Sequence, residues 1–236
     1  MIRTSSKALI NWIFSHPKVA RVALRNAMRL HNFAYDLCGT LSIYANFGVH
    51  PKHEIIRYSD WFANRVGTDS VVLDVGSNTG AMTATLAKKA AYVYGIELID
   101  THVEKARNSQ VLSNLEYIHG DATTFDYSAC RPFDCVTLSN VLEHIQDRVA
   151  FLKMLNAKLT WRNKEYRIFL IRVPTLERDW LAPYKKTQNV EYRLDRTHAV
   201  EHTRSQFLEE LAAAGLSVRE FEVRYGEFYA VCIGTL

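Results

Sequence analysis

The run Val71-Val72-Leu73-Asp74-Val75 restricts the fold more than any other feature of this chain. A short, continuous apolar run with β-branched residues is expected of a strand buried on both faces. A turn with glycine at both ends, Gly76-Ser77-Asn78-Thr79-Gly80, follows it and opens a helix over Ala81 to Ala90. The same alternation then repeats. Strands are expected at Tyr92 to Glu97, Leu115 to His119, Phe133 to Leu138 and Arg167 to Val173. Helices are expected at Thr101 to Gln110, Asp147 to Leu159 and Ser205 to Ala214, the last stopped by Gly215. Two helix starts read as capping boxes, Thr101 with Glu104 and Thr203 with Gln206. Alternation of this kind means an α/β, doubly wound, mostly parallel sheet. Two final β-like runs, Leu216 to Val223 and Phe228 to Ile233, have no helix between them and suggest an antiparallel edge.

Upstream of Ser70 the pattern is helical. Residues 4–14 and 18–35 read as two helices separated by Ser15-His16-Pro17, and a third is expected over His53 to Val66. The domain reading is an N-terminal helical cap, residues 1–66, and a core, residues 67–236, with an insertion at 174–203. A chain of 236 residues, 48% apolar and 23% charged, is long enough for a full core and excludes wholesale disorder.

In open α/β sheets, ligands bind beyond the carboxyl ends of the strands. Four strand ends here carry polar groups. The first ends at Asp74 and the glycine turn, where a ligand can approach the backbone and the helix N-terminus. The second ends at Glu97, 21 residues after Gly76, where a carboxylate can accept from two ribose hydroxyls. The third ends at His119-Gly120-Asp121-Ala122, and Asp121 can accept from the exocyclic amine of a base. The fourth leads into Ser139-Asn140-Val141-Leu142-Glu143-His144. A single glycine turn is an ordinary strand-to-helix connection, but four strand ends that together suit a nucleoside are not.

These residues resemble class I S-adenosylmethionine-dependent methyltransferases over about residues 54–236. VLDVGSNTG is similar to that family's first motif, with Asn78 in place of its middle glycine, and FDCVTLSNVLEHI to its fourth. The resemblance implies a seven-stranded sheet with an antiparallel last strand, and S-adenosyl-L-methionine as cofactor, leaving as S-adenosyl-L-homocysteine. It also implies that Asp74, Gly76, Ser77, Asn78 and Gly80 shape the pocket for the methionine part. Glu97, with Leu98 beside it, would hold the ribose, Asp121 and Ala122 the adenine, and Ser139 and Asn140 the region near the sulfonium. A nicotinamide or flavin domain fits less well. Asn78 stands where that fingerprint needs the glycine that lets backbone approach a pyrophosphate.

Methyl transfer to oxygen needs a proton removed, and histidine is the commonest base for that. His144 and His198 are both candidates for it, against a structural role for the Glu-His pair at the helix start. The 174–203 insertion is far longer than a usual connection and reads as a substrate lid, against a solvated surface loop. Its Trp180, Tyr184, Tyr192 and Arg193 suit a sugar or other polar acceptor, and Tyr58 is a further candidate for substrate or cofactor contact, against core packing. The nine histidines have no metal-ligand spacing, so no metal site is expected.

The expected activity is therefore methyl transfer to a small or glycan-type polar acceptor, at oxygen. The alternatives are a lipid- or quinone-type acceptor at a membrane surface, and a non-catalytic cofactor-binding module. The net charge of +4 bears on the choice of partner. Residues 1–35 hold six of the 29 basic side chains and none of the 25 acidic ones, leaving 23 basic against 25 acidic in the rest. That is too little positive charge around the core for a nucleic-acid binder. Arg21, Arg25 and Arg29 form one face of an amphipathic helix, the arrangement of a solvated cap or of a contact with an anionic membrane surface. Four scattered cysteines make no disulfide scaffold, and no apolar run reaches the length of a membrane span. Ala8 to Phe14 is too short and too polar for a signal-peptide core. The expected location is cytoplasmic, with peripheral contact at the inner membrane surface through residues 18–35.

Overall fold

The structure, a computed structural model, describes Ala8, Ile10, residues 14–109 and residues 111–235. The helix expected at 4–14 lies outside the described residues, apart from Ala8, Ile10 and Phe14. Two compact units are present. One comprises Met1–Ile55 with Asp179–Tyr192, the other Ile56–Arg178 with Arg193–Leu236. The residues expected to close the helical cap, 56–66, thus fall in the larger unit. The insertion is divided between the two.

In the smaller unit, helix α1 spans Pro17–Ala45. It starts where expected, because proline's fixed φ and missing N–H suit the first helical turn. It runs ten residues past the expected end at 35, since no strong stop occurs before Phe47 and Gly48, both at positive φ. A short helix α2 (Lys52–Ile56) follows. The single helix expected over 53–66 is broken there, because Arg57 adopts a left-handed conformation and starts α3 (Tyr58–Ala63). Among the described residues, no helix is long and apolar enough to cross a membrane.

The larger unit is built on seven strands: β1 (Val71–Val75), β2 (Tyr92–Glu97), β3 (Leu115–His119), β4 (Cys135–Ser139), β5 (Arg167–Pro174), β6 (Leu216–Arg224) and β7 (Glu227–Gly234). Their order is β3-β2-β1-β4-β5-β7-β6, and β7 is antiparallel to both of its neighbours. The doubly wound sheet with an antiparallel last strand is therefore present. Helices α4 (Ala81–Ala87), α5 (Asp100–Ser109), α6 (Arg148–Lys158) and α8 (Arg204–Ala213) connect the strands, and α7 (Leu181–Thr187) belongs to the smaller unit.

Both faces of the sheet are covered. Phe151, Leu152 and Leu155 of α6 and Phe207 and Leu211 of α8 pack with Leu73, Leu138, Phe169 and Ile171. Trp61, Phe62 and Leu86 pack on the other side with Val72, Val93 and Tyr229. Burial of such side chains contributes about 1.5–3 kcal/mol each. The capping box at Thr203 and Gln206 is present. The one expected at Thr101 is not, because α5 begins at Asp100 and the Ile99 carbonyl accepts the first helical N–H groups, from His102 and Val103.

Candidate functional site

The turn after β1 is held by steric fit. Gly76 has φ 71°, and a Cβ there would lie 2.6 Å from Val141 Cγ2. Gly80 has φ 85°, and its carbonyl accepts from the Tyr117 hydroxyl at 3.2 Å. A Cβ at Gly80 would collide with that hydroxyl. Asn78, the departure from the motif, adopts φ 49°, a left-handed conformation that asparagine tolerates better than most side chains. Asp74 is fully buried, accepting from Thr83 Oγ1 at 2.6 Å and Thr137 Oγ1 at 2.7 Å. Its carboxylate ties β1 to α4 and β4, beneath the turn. Ser77 is buried, and its hydroxyl has no partner among the described residues.

Burial pushes the Asp74 carboxyl up to about 6, against the pull of the two hydroxyl hydrogen bonds. A folded value above the unfolded one favours the protonated form in the native protein. That stability is complete below the ordinary value of 3.8 and is lost as pH rises through about 6. The loss is of the order of 3 kcal/mol. Asp74→Asn has no such titration. Urea unfolding at pH 4 and pH 7 should find the wild type losing about that much relative to the variant, whereas a pH-independent difference would mean the charge is not buried.

Glu97, at the end of β2, uses both carboxylate oxygens. Oε2 accepts from the Asn78 N–H at 2.9 Å and Oε1 from the Ile99 N–H at 3.0 Å. One side chain thus joins the loops after β1 and β2. Leu98 beside it is exposed, and its carbonyl lies 3.1 Å from His119 Nε2. Asp121 Oδ1 accepts from the Thr123 N–H and hydroxyl, leaving Oδ2 without a hydrogen bond among the described residues. The Ala122 carbonyl accepts from the Tyr127 hydroxyl at 3.0 Å.

A group not foreseen from sequence lies beyond β4. Arg172 of β5 donates from Nε and Nη2 to the two carboxylate oxygens of Glu227 on β7, each at 2.7 Å. Its Nη1 donates to Ser139 Oγ at 3.0 Å, and its guanidinium lies 4.1 Å from the Tyr58 ring centre. Tyr58, a candidate for ligand contact, is thus half-buried against a cation, and burial raises its hydroxyl above the ordinary value. Trp61 beside it is core. Asn140 is left-handed at φ 55° and donates to Glu227 Oε1 at 3.4 Å, while its Oδ1 is buried with no partner among the described residues. The signal that could have flagged this group is an arginine within the apolar run Ile168 to Val173.

The two candidate bases meet. The His144 and His198 rings are 4.9 Å apart and edge-on. His144 Nδ1 lies 3.2 Å from Thr197 Oγ1, and His198 Nδ1 lies 3.3 Å from Glu201 Oε1. Burial, and then His198, hold His144 below its ordinary value. Glu143 joins them. It is fully buried, neither of its carboxylate oxygens has a hydrogen-bond partner among the described residues, and burial pushes it up to about 8. A ligand atom from each of Glu143, His144 and His198 lies within 4.8 Å of the others. Histidine spacing in the sequence gives no such group; the fold brings these three ligand atoms together. In sequence His198 is remote from His144, but the Ala199 N–H donates to the Glu143 carbonyl at 2.7 Å and joins the two segments.

The expected acceptor residues are divided between the two units. Trp180, Tyr184 and Tyr192 belong to the smaller unit, where Trp180 is 73% exposed and Lys186 lies over the Tyr192 ring. Arg193 belongs to the larger unit and donates to the His198 carbonyl at 2.9 Å.

A family model described as a methyltransferase domain matches residues 73–160. Over 102 residues the chain is 33% identical to the ubiquinone biosynthesis O-methyltransferase of Aromatoleum aromaticum, covering 41% of this chain and 43% of that one. Over 98 residues it is 37% identical to an uncharacterized RNA methyltransferase of Caldanaerobacter subterraneus, covering 39% of this chain and 22% of that one. The chain spans less than half the length of both relatives. A SAM-dependent methyltransferase from Aquifex aeolicus has the same fold, with a TM-score of 0.59 at 17% identity, over 81% of this chain and 96% of that one. The matched stretch begins inside β1 and ends just past α6, so it holds the glycine turn, Glu97, Asp121 and Asn140 together. Residues 73–160 thus form a methyltransferase domain, set in a Rossmann-like fold.

Proposed function

We propose that this protein transfers the methyl group of S-adenosylmethionine to a hydroxyl oxygen of a small or glycan-type polar acceptor. The observation that carries this reading is the contact of His144 with His198, just past Asn140 at the end of β4. A hydroxyl acceptor must lose its proton, and His144, held below its ordinary value, is neutral and able to take it at pH 7. Glu97 would accept from the ribose hydroxyls, Asp121 and the Ala122 backbone would meet the adenine, and Asn140 Oδ1, buried without a partner, would accept from the methionine part. The turn from Gly76 to Gly80, held by Asp74, gives the room. Bound there, S-adenosylmethionine would supply a methyl group activated on sulfonium, which the acceptor oxygen would take as its proton passes to His144, the electron pair of the broken C–S bond staying on sulfur as a neutral thioether.

A second reading concerns the acceptor alone. Leu30, Phe33, Leu37, Leu41 and Tyr44 recur at helical spacing on α1 and are exposed. That stripe, with the similarity to ubiquinone biosynthesis O-methyltransferases, favours an acceptor with an apolar tail at a lipid surface.

Both readings meet one experiment. Methyl-labelled S-adenosylmethionine is offered with a catechol, a sugar, an alkyl amine, or a lipid-tailed phenol in anionic vesicles. Label is expected on a hydroxyl oxygen, and His144→Ala should lower kcat by about a hundredfold or more. Transfer only in the vesicle arm selects the second reading. Label only on the amine overturns both, and cofactor binding with no transfer leaves a non-catalytic module.

A further inference from the structure

We propose that Glu143, His144 and His198 form a binding site for one divalent transition-metal ion of the zinc type. Their ligand atoms are mutually within 4.8 Å. The independent observation is Glu143 itself, with 0% exposure and two carboxylate oxygens that find no hydrogen-bond donor among the described residues. A buried carboxylate is tolerated when it is paired or coordinates a metal.

The surroundings of the two imidazoles fit the same role. Glu201, also buried, lies at His198 Nδ1 and accepts in addition from the Leu194 N–H and the Arg178 guanidinium. With Nδ1–H donated to that carboxylate, the lone pair of His198 is on Nε2. Thr197 Oγ1 donates to Asp195 Oδ1 at 2.8 Å, so toward His144 Nδ1 it acts as acceptor, and His144 likewise keeps its lone pair on Nε2. Metal-bound histidines characteristically donate their second N–H to a carboxylate or another acceptor, which fixes tautomer and ring. The hydrogen bond from Ala199 to the Glu143 carbonyl holds the loop that carries His198 to the segment that carries the other two ligands.

Two imidazoles and one carboxylate select a borderline cation such as Zn²⁺ over Mg²⁺ or Ca²⁺, which prefer all-oxygen sets. Three protein ligands leave a position open, as in catalytic rather than structural zinc sites, and the exposed His144 gives that position a route to solvent. With the ion bound, the His144 lone pair lies on the metal, so the ion, by holding and acidifying the acceptor hydroxyl, would take over the proton-removing role given to His144 above; that use rests on the methyl transfer proposed there. The binding itself does not.

The test uses the full chain with Cys38→Ser, which removes an exposed thiol able to compete for zinc. Metal-stripped protein is titrated with Zn²⁺ by calorimetry and with Co²⁺ by visible absorption. One ion per chain is expected, with Co²⁺ bands of a nitrogen–oxygen ligand set. Glu143→Gln and His198→Ala should each weaken binding at least about tenfold, and Glu201→Gln, which keeps all three ligands, should weaken it less. Unfolding temperatures of the metal-free variants show that each is folded, and Glu143→Gln, nearly isosteric, serves if His198→Ala is not. Absence of stoichiometric binding overturns the site, as does affinity unchanged in Glu143→Gln. Methyl transfer to a hydroxyl that persists in the metal-free chain removes the ion's use and leaves the transfer reading. One bound ion with no transfer to any hydroxyl keeps the site and removes that reading.

Discussion

Glu97→Ala is expected to weaken S-adenosylmethionine binding by about a hundredfold or more. A carboxylate offers about four lone-pair positions. In Glu97 two of them are taken, by the Asn78 and Ile99 N–H groups. Two remain for the ribose hydroxyls. Alanine removes both sets at once, leaving two backbone donors and two ligand hydroxyls without their acceptor. Hydrogen bonds to a charged group contribute about 1.5–3 kcal/mol each, so losing two to the ribose alone reaches a factor of about a hundred. Glu97→Gln keeps the shape but turns an NH2 donor toward one of the two N–H groups, and should lose more than about tenfold. Asp121→Ala should lose less than Glu97→Ala, since Asp121 has one oxygen committed to Thr123 and is exposed. Calorimetric titration with S-adenosylmethionine and S-adenosylhomocysteine gives the ranking, with circular dichroism confirming that each variant is folded. Binding by Glu97→Ala within threefold of wild type would remove Glu97 from the ribose contact.

Part of the candidate site is legible in sequence. Its strand ends are local. An apolar run stops, a turn needs glycine at positive φ, and an acid stands at the end of the next strand. Each of these depends on residues within a few positions of one another, and the sheet stacks them in parallel register. Asn78 is readable on the same terms, since asparagine is among the few side chains that accept the left-handed region without glycine. The helices are less legible. Nothing local stops α1 at residue 35, and nothing local marks Arg57 as the break between α2 and α3. The trio of Glu143, His144 and His198 was visible as residues but not as a group, because a backbone hydrogen bond between distant loops brings the third to the first two. Arg172 with Glu227 depends on the antiparallel register of β5 against β7, which pairs Arg172 with Tyr229 and Pro174 with Glu227. No short-range pattern encodes that register.

Arg172 carries the largest expected effect on stability. It is 3% exposed, bidentate to Glu227, bonded to Ser139 and stacked against Tyr58. Arg172→Met keeps much of the volume and removes the charge, leaving the Glu227 carboxylate, which is 7% exposed, with only the Asn140 amide and the Tyr229 hydroxyl. Breaking a buried pair in this way costs about 3–5 kcal/mol. In a chain of this size each kcal/mol corresponds to about 2–4 °C, so Tm should fall by roughly 6–20 °C. The cost is mainly the stranded charge, not the lost attraction, because desolvation offsets much of what a buried pair gains. The double variant Arg172→Met with Glu227→Met should therefore recover most of the loss. Chemical denaturation of the two single variants and the double variant measures the coupling directly. Single variants costing less than about 1 kcal/mol would mean that water reaches the pair. A double variant no better than the singles would instead make the hydrogen bonds to Ser139, Asn140 and Tyr229 the main contribution, and the ends of β4, β5 and β7 would then be held by a neutral network.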